Sequence, residues 1–320
     1  MTRIFAVLMA VALALAAGAV GAQDTSGRPI RLIVPVPPGG PTDFAARMIA
    51  PKLGEALGRN VIIDNRPSAN GVVGSEIGAH AAPDGSTLTL GNSGTHAINP
   101  ALYRKLPYDP DRDFVPVAGT LTSGMVLVAN PRVPANSLAE FIALAKKEPD
   151  KLNIGVAGAT GQLAGEALKA QSQIALNNVL YKGSAPTEFA VLQGEVQVTI
   201  LTPIASANHI NAGRLKALGV TSAKRISLLP AVPTIAESGV AGYDFQIWHG
   251  MFAPRGISDK LVHRLNRDVQ AILAAPENRN KAALQGFEVM RYTPEEFAVF
   301  VKSETDKYRK IIKEAGIPQE

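Results

Sequence analysis

The sequence predicts an α/β protein made of two α/β units with a cleft between them. Short β-type runs alternate with amphipathic helical patterns, the alternation occurs twice, and from Ser258 onward the chain is nearly all helix. Strand–helix alternation implies parallel sheets. Two such units with no low-complexity linker, followed by helices that return to the first unit, imply two domains joined by more than one crossing strand. A cleft at such a junction is a ligand site.

In the first unit the strands are Ile30–Val34, Val61–Ile63 and Thr87–Leu90, with helices over Phe44–Leu57 and Gly74–Ala81. The second unit opens with a strand over Met125–Val128. A helix over Ser137–Lys147 follows, with Ser137 as N-cap and Glu140 three residues on. Strands at Leu152–Val156, Val179–Tyr181, Val196–Leu201 and Leu215–Val220 then interleave with helices at Leu163–Gln173, Pro186–Leu192 and Ala205–Ala212. In the tail, SDKLVHRLNRDVQAILA and TPEEFAVFVKSETDKYRKIIKEAG carry apolar residues at i, i+3, i+4 and i+7, so both are helices that pack on something already built.

Composition narrows the function. With 320 residues, 46% hydrophobic and 18% charged, the chain is long enough for two cored domains. The net charge of +5 would suit a nucleic-acid partner, but the basic residues are scattered with no Lys/Arg block, which argues against one. The opening MTRIFAVLMAVALALAAGAVGAQD has one early charge, a continuous apolar stretch and small residues at Val20 and Ala22. It reads as a secretory signal peptide over residues 1–22, cleaved after Ala22. The exported chain has no cysteine, hence no disulfide and no thiol chemistry, which suits a bacterial periplasm.

The catalytic and metal motifs are missing. His80, His96, His209, His249 and His263 show no ligand spacing, so no metal site is assigned. GNSGTH, Gly91–His96, misses the nucleophile-elbow pattern by one residue, leaving Ser93 and His96 as poor candidates for a hydrolase. GVAGATG, Gly155–Gly161, has the wrong glycine spacing for a dinucleotide fingerprint and no acidic residue about twenty positions on. PPGG lacks the Lys-Ser/Thr ending of a phosphate loop. No catalytic residue and no cofactor are assigned.

What remains is three loops of one kind. PPGGPT (Pro37–Thr42), NSGT (Asn92–Thr95) and GATGQ (Gly158–Gln162) each follow a strand and combine glycines with hydroxyls. At the carboxyl ends of parallel strands such loops bind ligands, and glycine lets backbone N–H groups approach an anion at a helix N-terminus. Ordinary turns are the alternative.

The stretches RPIRLIVPVPPGGPTDFAARMIAPKL, VIIDNRPSANGVVGSEIGAHAAPDGSTLTLGNSGTHAINPALYRKLPYDPDRDFVPVA, YKGSAPTEFAVLQGEVQV and AGRLKALGVTSAKRISLLPAVPTIAESGVAGYDFQIWHGMFAP, with the terminal helices, resemble the substrate-binding receptors of tripartite tricarboxylate transporters, the Bug family. The resemblance implies a bilobal, type II-like periplasmic-binding fold. It places the first lobe at residues 23–123 plus 247–320 and the second at 124–246. It implies a small carboxylate ligand, membrane components of the transporter as partners, and a monomer in the periplasm. A ligand-sensing or interaction protein on the same fold is the alternative. Matching positions are Gly39, Gly40, Asp43, Ser93, Gly94 and Thr95 on the first lobe. On the second they are Ala159, Thr160, Tyr181, Lys182, Gly183 and Thr202. Asp43 either accepts from a ligand hydroxyl or ammonium or serves only the helix dipole. Lys182 either supplies charge or is simply solvated. The sequence departs from the family in a shorter GVAGATGQLAGEAL and at Thr202–Pro203, where many relatives carry an acidic or amide pair. An amino-acid ammonium is thereby disfavoured at the distal end.

Overall fold

The computed structural model describes residues 27–319, so the signal peptide expected over residues 1–22 and its cleavage after Ala22 lie outside the described residues. Two sheets form a bilobal α/β fold. The first sheet has six strands in the order β11-β4-β10-β3-β1-β2, and the second has five in the order β7-β6-β8-β5-β9.

In the first lobe β1 (Ile30–Val34), β2 (Val61–Asn65) and β3 (Thr87–Asn92) are parallel, with β1 in the middle. Helix α1 (Pro41–Leu57) connects β1 to β2. Its small and aliphatic face of Ala45, Ala46, Ile49, Ala50 and Leu53 is buried, and the left-handed Gly58 closes it. Helix α2 (Val72–Ala79) connects β2 to β3, and its Gly74 packs so closely that an added Cβ would stand 2.7 Å from the Cα of Pro35. After β3 come a π-turn over Gly94–Ile98, α3 (Asn99–Leu102) and α4 (Pro110–Asp113).

The chain then passes through β4 (Phe114–Gly124) directly into β5 (Val126–Ala129) of the second sheet. There β6 (Asn153–Ala157), β7 (Asn177–Tyr181) and β8 (Val198–Leu201) are parallel neighbours, while β5 runs antiparallel to both β8 and β9 (Lys216–Val220). Helices α5 (Leu138–Lys147), α6 (Gly158–Ser172), α7 (Ser184–Gln193) and α8 (Pro203–Asn211) fill the connections. The Ser137 hydroxyl accepts from the Glu140 N–H at 3.2 Å, the cap the sequence predicts for α5.

The chain returns through β10 (Gln246–Pro254), which lies between β3 and β4 and is antiparallel to both. Neither β4 nor β10 was among the expected strands, and they correct the expectation of purely parallel sheets. Helix α9 (Asp259–Ala274), α10 (Pro276–Leu284), β11 (Glu288–Val289) and α11 (Pro294–Glu314) finish the first lobe. Thr293 and Glu296 form a reciprocal capping box at the start of α11. Its Glu304 accepts from Trp248 Nε1 at 3.2 Å and Tyr308 Oη at 3.0 Å, anchoring the helix on β10.

Candidate functional site

Every residue in the expected binding set except Tyr181 lies just past a strand, at the carboxyl edge of a parallel trio. Gly39, Gly40 and Asp43 follow β1, and Ser93, Gly94 and Thr95 follow β3. Ala159 and Thr160 follow β6, Tyr181 ends β7 with Lys182 and Gly183 next, and Thr202 follows β8. The two edges meet. A Cβ placed on Gly94 would stand 3.8 Å from Thr160 Oγ1, and one on Gly286, beyond α10, would stand 2.6 Å from Pro203 Cβ beside Thr202.

The loop after β1 is built by its own helix. Gly39 has φ +88°, a conformation that glycine adopts freely, and its N–H donates to Asp43 Oδ2 at 2.9 Å. Gly40 is the N-cap in extended backbone with no side-chain cap, and Pro41 at the first helical position has no N–H to satisfy. The first-turn N–H groups of Thr42 and Asp43 lie beyond the reach of intrahelical acceptors, which makes this end of a 17-residue helix suitable for an anion.

Asp43 is buried and fully engaged. Besides Gly39 it accepts from Arg47 Nε at 2.7 Å, Arg47 Nη2 at 3.2 Å and Asn65 Nδ2 at 3.0 Å. Burial raises its pKa, but the hydrogen bonds from Arg47, Gly39 and Asn65 outweigh that and hold the carboxyl below its ordinary value. Four donors occupy its acceptor sites, so the geometry favours a loop-fastening role over acceptance from a ligand. Gly39 spends its amide on Asp43; next to it Gly40 is half-buried, while Thr42 and Asp43 are buried.

The loop after β3 is fastened by an Asn–Thr exchange. Thr95 N–H donates to Asn92 Oδ1 at 3.1 Å, and Asn92 N–H donates to Thr95 Oγ1 at 3.0 Å. Ser93 and Thr95 are buried, and Gly94 is half-buried at the cross-lobe contact. The loop after β2 supports both: a Cβ on Gly71, φ +71°, would meet Thr95 Cγ2 at 2.6 Å and Pro35 O at 2.9 Å.

His96 does not pair with Ser93. Its Nδ1 lies 2.8 Å from Thr95 Oγ1 and its ring stacks on Phe252 with centroids 3.9 Å apart. Burial lowers its pKa to about 3, so it is a neutral core ring.

On the second lobe, Ala159 and Thr160 occupy the first turn of α6, which begins at Gly158 and not at Leu163 as the periodicity suggests. Gly183, φ +115°, is the N-cap of α7, and Thr202 is the N-cap of α8 with Pro203 following. Lys182 is exposed, as is the start of α7. The Tyr181 phenol is pushed upward by desolvation and by Glu195. Among the described residues no group of three or more His, Asp or Glu could hold a metal, and no helix is long and apolar enough to cross a membrane.

Sequence reasoning missed Asn65, Thr42, Asn92 and His249. Asn65 Nδ2 bridges Asp43 and the Val36 carbonyl, at 3.0 and 3.2 Å. Its signal was the NRPSANG motif that opens at Asn65. Thr42, Asn92 and His249 join across the first lobe, and no local pattern announces that.

Comparisons with known proteins agree with this architecture. Protein BugT of Bordetella pertussis is 35% identical over 320 residues, covering 99% of this chain and 98% of its own. The solved structure of Rhodopseudomonas palustris Rpa4515 with adipate superposes with a TM-score of 0.81 at 36% identity, covering 91% of this chain and 98% of the other. MatC from the same organism, with bound malate, gives 0.77 at 31% identity, covering 89% and 99%. The periplasmic binding protein BugD gives 0.78 at 33%, covering 92% and 99%. The model of the tripartite tricarboxylate transporter family receptor matches residues 45–317, and the chain belongs to that family.

Proposed function

We propose that this protein is an exported receptor that closes its two lobes around a small dicarboxylate in the malate-to-adipate size class and presents it to the membrane components of a tripartite transporter. The observation that carries the ligand class is the pair of relatives with adipate and malate bound, each matching about nine-tenths of this chain at 36% and 31% identity. The chemistry of the site supports it. One carboxylate fits the uncapped N-terminus of α1 beside Gly40, and the second lobe offers hydroxyls and amides at Thr160, Gly183 and Thr202 for the distal end. In this reading the signal peptide is removed after Ala22, and the mature protein is a monomer that binds without turnover. The lobes hinge where β4 passes into β5 near Gly124 and where Phe245 leads into β10, so residues 124–246 move against the rest.

Thermal denaturation across a carboxylate panel tests this. A dicarboxylate at a hundred times its dissociation constant adds about 2.7 kcal/mol, and the matching diamide should add nothing. A panel in which sugars or nucleotides raise the melting temperature and no carboxylate does would overturn the reading.

A further inference from the structure

Beneath the two ligand loops of the first lobe lies a polar contact set that spans three elements. His249 on β10 stands opposite Asn92 at the end of β3 in the antiparallel register. Its Nδ1 is 3.1 Å from the hydroxyl of Thr42, in the first turn of α1, and Asn92 Nδ2 donates to the same hydroxyl at 3.2 Å. Thr42 and His249 lie in protein interior, at 3% and 4% exposed, and Asn92 is half-buried.

The hydrogen-bond directions follow from the donors available. Asn92 Oδ1 is taken by the Thr95 N–H, so its Nδ2 is the end that faces Thr42. Thr42 Oγ1 accepts from Asn92, and we assign its single proton to His249 Nδ1, the acceptor 3.1 Å away, because that arrangement satisfies the hydroxyl proton. The ring proton then sits on Nε2, which is buried without a protein partner. Burial lowers the pKa of His249 to about 4, so the ring is neutral and Nδ1 is free to accept.

We propose that His249 is a positioning residue for ligand binding: it holds the Thr42 hydroxyl, and through it Asn92, so that the anion-facing turn of α1 and the loop after β3 keep one relative placement. Asn92 in turn fixes Thr95, so the relay runs from β10, the strand by which the chain re-enters the first sheet, to both first-lobe loops. Only an accepting atom at the His249 Nδ1 position satisfies the Thr42 proton, and an apolar ring of similar shape does not. The sheet would survive such a replacement, since Phe287 already packs against the His249 ring at a centroid distance of 5.7 Å. Binding depends on more than packing here because the loops must be held in the geometry the ligand needs.

This inference rests on the dicarboxylate reading, and wild-type titration with malate and adipate separates the two. If wild type binds neither, nor any member of a dicarboxylate panel, the reading itself fails and the inference with it. Given wild-type binding, calorimetric titration of Thr42→Val, Thr42→Ser and His249→Phe decides. Each variant is titrated at a temperature where its melting curve shows it fully folded, so that an unfolded population does not weaken the fitted constant. Thr42→Val should bind about tenfold more weakly or worse, and Thr42→Ser, which keeps the hydroxyl, should return to within about threefold of wild type. His249→Phe should also lose about tenfold in affinity when titrated fully folded, beyond whatever fall in melting temperature the orphaned Thr42 proton causes, whereas a purely structural role would lower the melting temperature and leave the affinity of the folded protein intact. Wild-type affinity in Thr42→Val or in His249→Phe overturns the proposal. So does a Thr42→Ser protein as weak as Thr42→Val, since the methyl and not the hydroxyl would then be what matters.

Discussion

Gly286 faces Pro203 across the lobe junction so closely that a Cβ on the glycine would stand 2.6 Å from the Cβ of the proline. Gly286 follows α10 of the first lobe, and Pro203 is the first residue of α8 in the second. No side chain fits between them, so the distance of closest approach is set by the missing atom. Gly286→Ala should act as a wedge. Small-angle scattering with saturating dicarboxylate should show a larger radius of gyration than wild type, and affinity should fall. The φ of +76° at Gly286 adds about 1 kcal/mol of strain to the variant, which lowers its melting temperature independently of any wedge. Gly286→Ala combined with Pro203→Gly, which removes the facing Cβ, should recover the scattering profile but not that strain. An unaltered radius in the single variant would show that the lobes do not close on this contact.

Gly39 and Gly40 should respond differently although they are adjacent. Gly39 needs its positive φ, so Gly39→Ala costs about 1 kcal/mol of stability. Gly40 lies at φ −83°, and an added Cβ would meet only Pro37 O at 3.9 Å. Gly40→Ala should therefore leave the unfolding midpoint within about 0.5 kcal/mol of wild type. Its methyl group stands where a carboxylate approaches the first-turn amides, so affinity should drop about tenfold, the worth of one charge-assisted hydrogen bond. Calorimetry on both variants checks this, and full affinity in Gly40→Ala removes the anion from this loop.

Asp43→Ala should destabilise more than Arg47→Ala, although the two side chains form one ion pair. Arg47 is 58% exposed, so its half of the pair is screened by solvent and contributes little. Removing Asp43 leaves Gly39 N–H and Asn65 Nδ2 without their acceptor in a buried site, at about 1–3 kcal/mol. Urea denaturation of the two single variants measures the difference.

Acid should weaken the fold between pH 6.5 and about 4. His96 and His249 are neutral when folded, with pKa values lowered to about 3 and about 4 by burial, whereas in the unfolded chain each titrates near 6.5. Below pH 6.5 the unfolded state takes up protons that the native state refuses, so stability falls as pH falls. Each histidine contributes a slope of about 1.4 kcal/mol per pH unit through that window. The depressed pKa of Asp43 adds loss in the same direction at lower pH. Melting temperature measured from pH 7 to pH 4 should fall steeply in wild type and less steeply in His249→Phe.

The alternating parallel elements and the loops after them were legible because periodicity and Gly/Pro punctuation are local. β4 and β10 were not, for a reason visible in their glycines. FVPVAGTLTSG and QIWHGMFAP look interrupted at Gly119 and Gly250, yet those are the seats of one aromatic ring. A Cβ on Gly119 would stand 3.1 Å from the Phe297 ring, and one on Gly250 would overlap it. Residues of β10 are buried on both faces from Ile247 onward, so no polar alternation marks the strand, and two register shifts against β4 blur it further. The candidate site divides the same way. The PPGG turn and the NSGT loop stand out in the sequence. The partnership of Thr42 with His249 joins residues 207 positions apart and exists only because β10 inserts beside β3. Asp43 was equally open to a ligand role or a local one until Asn65 and Gly39 were seen to share its oxygens.

The insertion of β10 between β3 and β4 also dictates an order of assembly. All five strands of the second sheet lie between Val126 and Val220, so that sheet can form from one contiguous stretch. The first sheet is split: its central strand begins at Gln246, well after β4 ends at Gly124. Closing that long loop costs entropy before any new pairing rewards it, and non-local strand pairing is slow. Until β10 arrives, β3 and β4 present open edges that invite pairing with other chains. The middle of the polypeptide is thus the early folding unit, the two ends wait for each other, and an exported chain is most vulnerable to aggregation while its last seventy or so residues are still on the way.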